Sequence, residues 1–369
     1  MNTISNINKK PVNKRVLVAP LDWGLGHATR CIPIINVLKK EGVEVLVAGE
    51  GPTLEILVKS LPGIVFLPLK GYRVTYSPKK LFFVVYLLAQ TFKIRKRIKE
   101  EHRWLKQVME THNIHAVISD NRYGLWSNSI PSVFITHQLG IKTGNRALDF
   151  FARIINHKLI RKFNSCWLAD AEGENNLAGE LSHPKKPPSF RCRYVGLLSR
   201  FSFRNTPVTN QILFLISGPE PARTIFEEKI LRQLGNIQQP VVLVRGLPKH
   251  QHELTNLPAH AKAYNHLETD ELTGLVASAK LVVCRAGYST LMDLTALRIH
   301  AVIVPTPGQT EQEYLAGYLH GKKLFLSVQE DDFEMNEVVQ KFNTFNFSDQ
   351  WPSANLNEVV IKEFTSSLF

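Results

Sequence analysis

The sequence predicts an α/β chain made of two doubly wound parallel-sheet domains that face each other across a central cleft. Three observations carry this. Short β-branched runs alternate with helical stretches along the chain. One polar, aperiodic stretch, Arg200 to Asn210, splits the alternation into halves of similar size. In each half a glycine-bearing loop follows a strand and opens a helix, which is where such sheets bind ligands.

Composition narrows the class. The 369 residues are 44% hydrophobic, which suits a large core. A charged fraction of 21% excludes a disordered chain. Cys31, Cys166, Cys192 and Cys284 stand far apart, without zinc or redox spacing, and read as reduced thiols of a cytoplasmic protein. Met1 to Val12 lacks the apolar core of a signal peptide. The longest apolar run, Leu81 to Ala89, falls short of the roughly 20 residues that cross a bilayer. A cytoplasmic protein is expected, with peripheral attachment at the inner face of the plasma membrane as its one membrane role. The net charge of +13 points to nucleic acid, an anionic membrane face or a phosphorylated substrate, with plain solubility as the alternative.

The elements follow in order. Arg15 to Pro20 is a buried strand, and Ala28 to Lys40 a helix with Ile32, Ile35 and Leu38 at helical spacing, closed by Gly42. Val43 to Ala48 completes a βαβ unit and so a parallel sheet. Leu54 to Leu61 reads as helix. Ile64 to Leu67, Ala116 to Ser119, Ser132 to Thr136, Cys166 to Ala169 and Tyr194 to Val195 read as strands. After the boundary, strands are expected at Gln211 to Ile216, Val241 to Arg245, Ala263 to Tyr264, Leu281 to Cys284 and Ala301 to Pro305. Helices are expected at Thr224 to Leu234 and Tyr288 to Leu297. The domains are therefore 14–199 and 210–350, with a terminal helix in 351–369.

The first loop is Gly24-Leu25-Gly26-His27-Ala28-Thr29. Its glycines allow close backbone approach, and the helix N-terminus offers free N–H groups to an anion. A dinucleotide fingerprint would need glycine where Thr29 stands, and no Gly-Lys-Ser/Thr occurs, so a P-loop is excluded. His27 suits a general base near neutral pH, or else braces the loop. Asp120, at the end of its strand, either orients His27, serves as the base or caps a helix. Arg122 and His137 follow strands that end at the same edge, as acceptor ligands or loop braces.

In the second half, Arg285-Ala286-Gly287-Tyr288-Ser289-Thr290 carries a strand into a helix, whose N-terminus and hydroxyls suit a phosphate. Asp293, one turn on, suits two ribose hydroxyls or merely favours the helix dipole. Pro305 to Tyr314 reads as a Pro/Gly-shaped loop in which Gln312 and Glu313 suit sugar hydroxyls.

These segments resemble glycosyltransferase family 28, most closely the C-terminal domain of its MurG-type peptidoglycan N-acetylglucosaminyltransferases. Cys284-Arg285-Ala286-Gly287 with Thr290 and Asp293 is similar to the family's Cys-Arg-Ser-Gly donor segment, and Pro305 with Gln312-Glu313-Tyr314 to its later Pro and Gln-Gln-Tyr segment. The resemblance implies the GT-B architecture, two Rossmann-like domains with the nucleotide-sugar donor held by the C-terminal one. Asp293 would hold the ribose; Ser289 and Thr290 would approach the diphosphate; Gln312 and Glu313 would meet the sugar; Gly287 and Arg285 would join them as donor-binding residues. Ser217-Gly218-Pro219-Glu220 stands where the family has its second glycine loop, but with one glycine. Gly24, Gly26 and His27 resemble the family's N-terminal glycine loop, where His27 would act in catalysis or, with the glycines, in acceptor binding.

Lys93 to Met109 reads as a helix with Ile94, Ile98, Leu105 and Val108 on one stripe and Lys93, Lys96, Arg97, Lys99 and Arg103 elsewhere. Lys79, Lys80 and Leu81 to Tyr86 precede it, and 149–163 adds Phe150, Phe151, Arg153, Lys158, Arg161 and Lys162. Phenylalanine beside lysine suits an anionic membrane surface, and a solvated basic face is the alternative. No nucleic-acid motif accompanies the charge.

The expectation is an inverting, metal-independent transfer of a hexosyl or N-acetylhexosaminyl group from a UDP-sugar to a hydroxyl of a glycan or glycolipid. No cofactor beyond the UDP-sugar co-substrate is expected, and no Asp-x-Asp metal motif occurs. A UDP-sugar 2-epimerase of the same fold, or a non-catalytic sugar-nucleotide or glycolipid binder, are the alternatives.

Overall fold

The computed structural model describes residues 14–72, 83–203, 206–248 and 254–369. The N-terminal half contains β1 (Arg15–Pro20), α1 (Leu25–Lys40), β2 (Glu44–Gly49), α2 (Gly51–Ser60), β3 (Val65–Pro68), α3 (Phe83–His112), β4 (Ala116–Asp120), β5 (Ser132–Thr136), α4 (Arg146–Ile160), β6 (Ser165–Leu168) and β7 (Cys192–Tyr194). Its strands form one parallel sheet in the order β3-β2-β1-β4-β5-β6-β7. β1, β4 and β5 are almost wholly buried, because helices cover both faces of a parallel sheet.

The C-terminal half contains β8 (Ile212–Leu215), α5 (Ala222–Leu231), β9 (Val241–Val244), β10 (Ala261–Tyr264), α6 (Thr269–Ser278), β11 (Leu281–Arg285), α7 (Tyr288–Leu297), β12 (Ala301–Val304), α8 (Thr310–Gly321), β13 (Leu326–Ser327), α9 (Met335–Thr344) and α10 (Glu358–Ser366). Its sheet is parallel too, ordered β10-β9-β8-β11-β12-β13. The expected two-domain α/β plan holds, and α7 has the bounds read from its periodicity.

The strand order positions the site. In the first sheet the winding reverses between β1 and β4, whose residues pair up to Pro20 against Asp120. In the second it reverses between β8 and β11. Each reversal opens a crevice at the carboxyl edge. The loop of His27 follows β1 and Asp120 ends β4. Gly218 follows β8 and Gly287 follows β11. All four candidate segments lie at a crevice.

One expectation needs correction. The stretch from Pro305 to Tyr314 is a loop only to Gln309; α8 begins at Thr310, so Gln312 and Glu313 occupy a first helical turn. The expected terminal helix is present as α10, and it packs on the first domain. The Asn357 amide donates to the Val195 carbonyl (2.9 Å), Phe364 packs edge-on against Trp167, and α10 lies against α1. Gly196, at φ +77°, lies so close to the Asn355 carbonyl that a Cβ would sit 2.0 Å from it. The chain thus returns to the first domain and ties the halves together a second time. Lys79, Lys80, Leu81, Phe82 and the segment Met1 to Val12 fall outside the described residues, as do the side chains of 83–91.

Candidate active site

α1 begins with no side-chain cap and no acidic residue in its first turn, so its first N–H groups stay available to an anion. Its N-cap Gly24 sits at φ +88°, the left-handed region that favours glycine. Three residues further on, His27 and Arg30 share one helix face. Both reach Asp120.

Asp120 is fully buried. Arg30 Nε donates to its Oδ2 (2.9 Å), and Arg30 Nη2 donates to its Oδ1. His27 Nδ1 lies 2.9 Å from the same Oδ2 and 2.9 Å from Arg30 Nη2. Arg30 Nη1 lies 3.2 Å from His137 Nδ1. Burial alone would raise the Asp120 carboxyl, but Arg30 and His27 overcome it and hold it at about 2. Burial pushes the His27 imidazole down, with Arg30 acting in the same sense and Asp120 opposing. A neutral imidazole with a fixed carboxylate behind it is the arrangement of an oriented general base. The ionised, buried Asp120 is a poor base itself, so of the three roles read for it the geometry favours orienting His27.

The second domain closes over this group. Gly26 lies so near Ser289 at the start of α7 that a Cβ there would be 2.4 Å from the Ser289 hydroxyl. Tyr288 stacks on His137 with centroids 4.0 Å apart and rings 3° from parallel, and its hydroxyl donates to the Ala169 carbonyl (2.6 Å). His137 Nε2 is 2.6 Å from Glu311 Oε1 in the first turn of α8. The Tyr314 hydroxyl accepts from the Glu180 amide (2.7 Å). α7, like α1, starts without a side-chain cap or first-turn acid, so Ser289 and Thr290 stand beside free N–H groups. Its N-cap Gly287 has an ordinary φ of −75°, and nothing fills the space where its Cβ would point. Gly218, at φ +114°, likewise faces open space.

Asp293 sits on the other side of α7. Burial raises its carboxyl to about 6 against the opposing Arg200 guanidinium, and the Ser199 hydroxyl donates to it (2.5 Å). Ser199 and Arg200 also line a cavity of about 380 Å³ between the domains, with Pro33 and Asn36 of α1 and Glu268 and Thr269 at the start of α6. Its size fits a small-molecule site. Arg200 Nε is buried without a partner.

Four expected ligands are committed elsewhere. Arg122 is fully buried, donating to Glu101 Oε1 (2.8 Å) and the Pro20 carbonyl (2.8 Å). It braces the sheet edge and is not an acceptor ligand. Arg285 is equally buried, paired with Glu330 (2.5 Å), donating to the Ala222 carbonyl and lying over the Phe226 ring, so it frames the C-terminal domain and is not a donor ligand. Gln312 accepts from the Thr306 amide (2.9 Å) and donates to Gln309 (2.6 Å), which makes it a loop brace. Glu313 accepts from the Gly308 amide. Sequence reasoning missed Arg30, Ser199, Arg200 and Glu311. Only Arg30 left a signal, its three-residue spacing from His27. Among the described residues no three His, Cys, Asp or Glu side chains cluster to hold a metal.

Residues 220–366 match the glycosyltransferase family 28 C-terminal domain. The chain is a glycosyltransferase whose C-terminal domain is similar to that of family 28. The enzyme is 23% identical over 305 residues to the UDP-N-acetylglucosamine–N-acetylmuramyl-(pentapeptide) pyrophosphoryl-undecaprenol N-acetylglucosamine transferase of Acidithiobacillus ferrooxidans, covering 79% of this chain and 77% of that one. It is 22% identical over 330 residues to the transferase of the same name in Listeria monocytogenes, covering 85% and 86%. The crystal structure of Acinetobacter baumannii MurG superposes with a TM-score of 0.53 at 16% identity, over 96% and 94% of the chains, which places this transferase in the GT-B fold.

Arg30→Ala removes the cation that compensates Asp120. The expected cost is about 3–5 kcal/mol, the cost of leaving one partner of a buried pair alone. Urea unfolding monitored by circular dichroism reads it, and a loss below about 1 kcal/mol would show that the pair does not hold the site together.

Proposed function

We propose that this transferase moves a hexosyl or N-acetylhexosaminyl group from a UDP-sugar to a hydroxyl of a glycan or glycolipid by single displacement with inversion. The observation that carries the reading is the carboxylate-backed His27, next to Gly26, which lies against Ser289 in the uncapped first turn of α7. His27 Nε2 takes the acceptor hydroxyl's proton as that oxygen attacks the anomeric carbon. The bond from that carbon to the diphosphate oxygen breaks, and the leaving diphosphate gathers its negative charge against the α7 N–H groups and the Ser289 and Thr290 hydroxyls. These groups stabilise the leaving group without a metal or further cofactor. Asp293 accepts ribose hydroxyls, and the cavity beside Ser199 and Arg200 takes the base. Closure of α7 and α8 on the first domain keeps water from the activated sugar.

The acceptor side supports a lipid-linked substrate at the inner face of the plasma membrane. α4 buries only Asn156 and Ile160 and leaves Phe150 and Phe151 51% and 61% exposed, beside exposed Ile154 and Ile155. Arg146, Lys158, Arg161 and Lys162 surround this face. An apolar helix face ringed by cations suits an anionic bilayer surface. No described helix is long and apolar enough to cross a membrane.

Thermal shift with UDP, GDP, TDP and their sugars tests the donor. UDP compounds alone are expected to raise the melting midpoint, and Asp293→Asn to abolish most of that rise. The carboxyl titrates near 6, and only its ionised form accepts two hydroxyl bonds. Affinity of the wild type for UDP-N-acetylglucosamine, whose esterified diphosphate does not titrate in this range, should therefore weaken as pH falls through about 6, while the Asn variant stays flat. No shift with millimolar UDP would overturn the donor assignment. Sedimentation with phosphatidylglycerol vesicles tests the membrane face: Phe150→Asp/Phe151→Asp should lose binding that neutral vesicles never support, and unchanged binding would remove α4 from that role.

A further inference from the structure

His27 has two neighbours that want opposite things from it. If Nδ1 carries the proton, it donates to Asp120 Oδ2 at 2.9 Å and leaves Nε2 bare, as a base requires. If Nδ1 is bare, it accepts from Arg30 Nη2, also at 2.9 Å, and the proton sits on Nε2, where it blocks the reaction. The tautomer of the base therefore depends on where the Arg30 guanidinium rests.

The far end of that guanidinium is held by His137, and His137 is held by the other domain. Glu311, an acceptor only, lies 2.6 Å from His137 Nε2 and demands a proton there. His137 Nδ1 is then a bare acceptor that seats Arg30 Nη1 at 3.2 Å and keeps the fork on Asp120. Gln138 Nε2, 3.4 Å from the same His137 nitrogen, favours the opposite tautomer once Glu311 is gone. A proton on His137 Nδ1 would face Arg30 Nη1 and press the guanidinium toward His27.

We infer that Glu311 is a positioning residue: by docking on His137 it sets, through Arg30, the base-competent tautomer of His27, so that the base is armed only when the donor domain is closed. This rests on the reading of His27 as the base. It supplies what that reading lacks, a link between arrival of the donor domain and readiness of the acceptor side. His137 and Arg30 act through His27 and need not touch substrate.

Ring-¹⁵N-histidine labelling with long-range ¹H–¹⁵N spectra tests the link on the whole chain without an acceptor, with His27 and His137 signals assigned from their variants. In the wild type, His27 should carry its proton on Nδ1 and His137 on Nε2. Glu311→Ala should move the His27 proton to Nε2 and, in a separate assay with anionic bacterial membranes as acceptor source, slow UDP release from UDP-N-acetylglucosamine at least tenfold. Glu311→Gln, whose amide oxygen still accepts, should restore both. Glu311 is part-exposed, and an unchanged melting midpoint confirms that the Ala variant folds. Unaltered His27 spectra in Glu311→Ala, equal effects of Ala and Gln, or a wild-type His27 already protonated on Nε2 would each overturn the link. His27→Ala runs in parallel: full UDP release in that variant refutes the base itself, whatever the spectra show.

Discussion

The buried pair of Arg30 and Asp120 is the interaction on which the rest of this enzyme depends. Neither charge is tolerable alone at the floor of a crevice, and each makes the other possible. Asp120 gives His27 a partner, and Arg30 keeps that partner ionised. The two come from separate elements, the first turns of α1 and the end of β4, which meet because the strand order reverses between β1 and β4. A topological feature thus becomes a chemical one: where the winding changes direction, a carboxylate, a guanidinium and an imidazole are brought within hydrogen-bond reach.

The second domain repeats the plan and supplies the complementary half. Its own reversal places the uncapped N-terminus of α7 against the loop of His27, with Gly26 and Ser289 in near contact. In the proposed reaction the α7 N-terminus and its hydroxyls take up negative charge on one wall while His27 serves as base on the other. The C-terminal strap, which carries α10 back onto α1, leaves two crossings between the domains.

Much of this was legible in the sequence, and the gaps have physical causes. Buried parallel strands are short β-branched runs, so β1, β4, β5 and β11 were visible, as was α7 with its apolar period. His27 and Asp120 were visible because polar residues that follow such strands have the crevice to face. α8 was not, because Pro305, Pro307 and Gly308 advertise a loop and the helix begins immediately after them. Arg122 and Arg285 misled for a different reason. A cation at a sheet edge reads as a ligand for anions, and the partners that silence it, Glu101 and Glu330, are distant in sequence. Glu311 was invisible as a site residue because its meaning comes only from His137, in the other domain. Long-range ion pairs, not local propensity, separate the residues that work from those that brace.

The most direct test of the central claim follows label from UDP-[¹⁴C]N-acetylglucosamine into organic-extractable product, with anionic bacterial membranes as acceptor source, for the wild type and His27→Ala. The account predicts label in the lipid phase with the wild type and a loss on the order of 10²- to 10⁴-fold in the variant, the scale of a missing general base. Equal incorporation by both proteins would contradict it, because the Arg30–Asp120 pair would then be orienting a histidine that the reaction does not use.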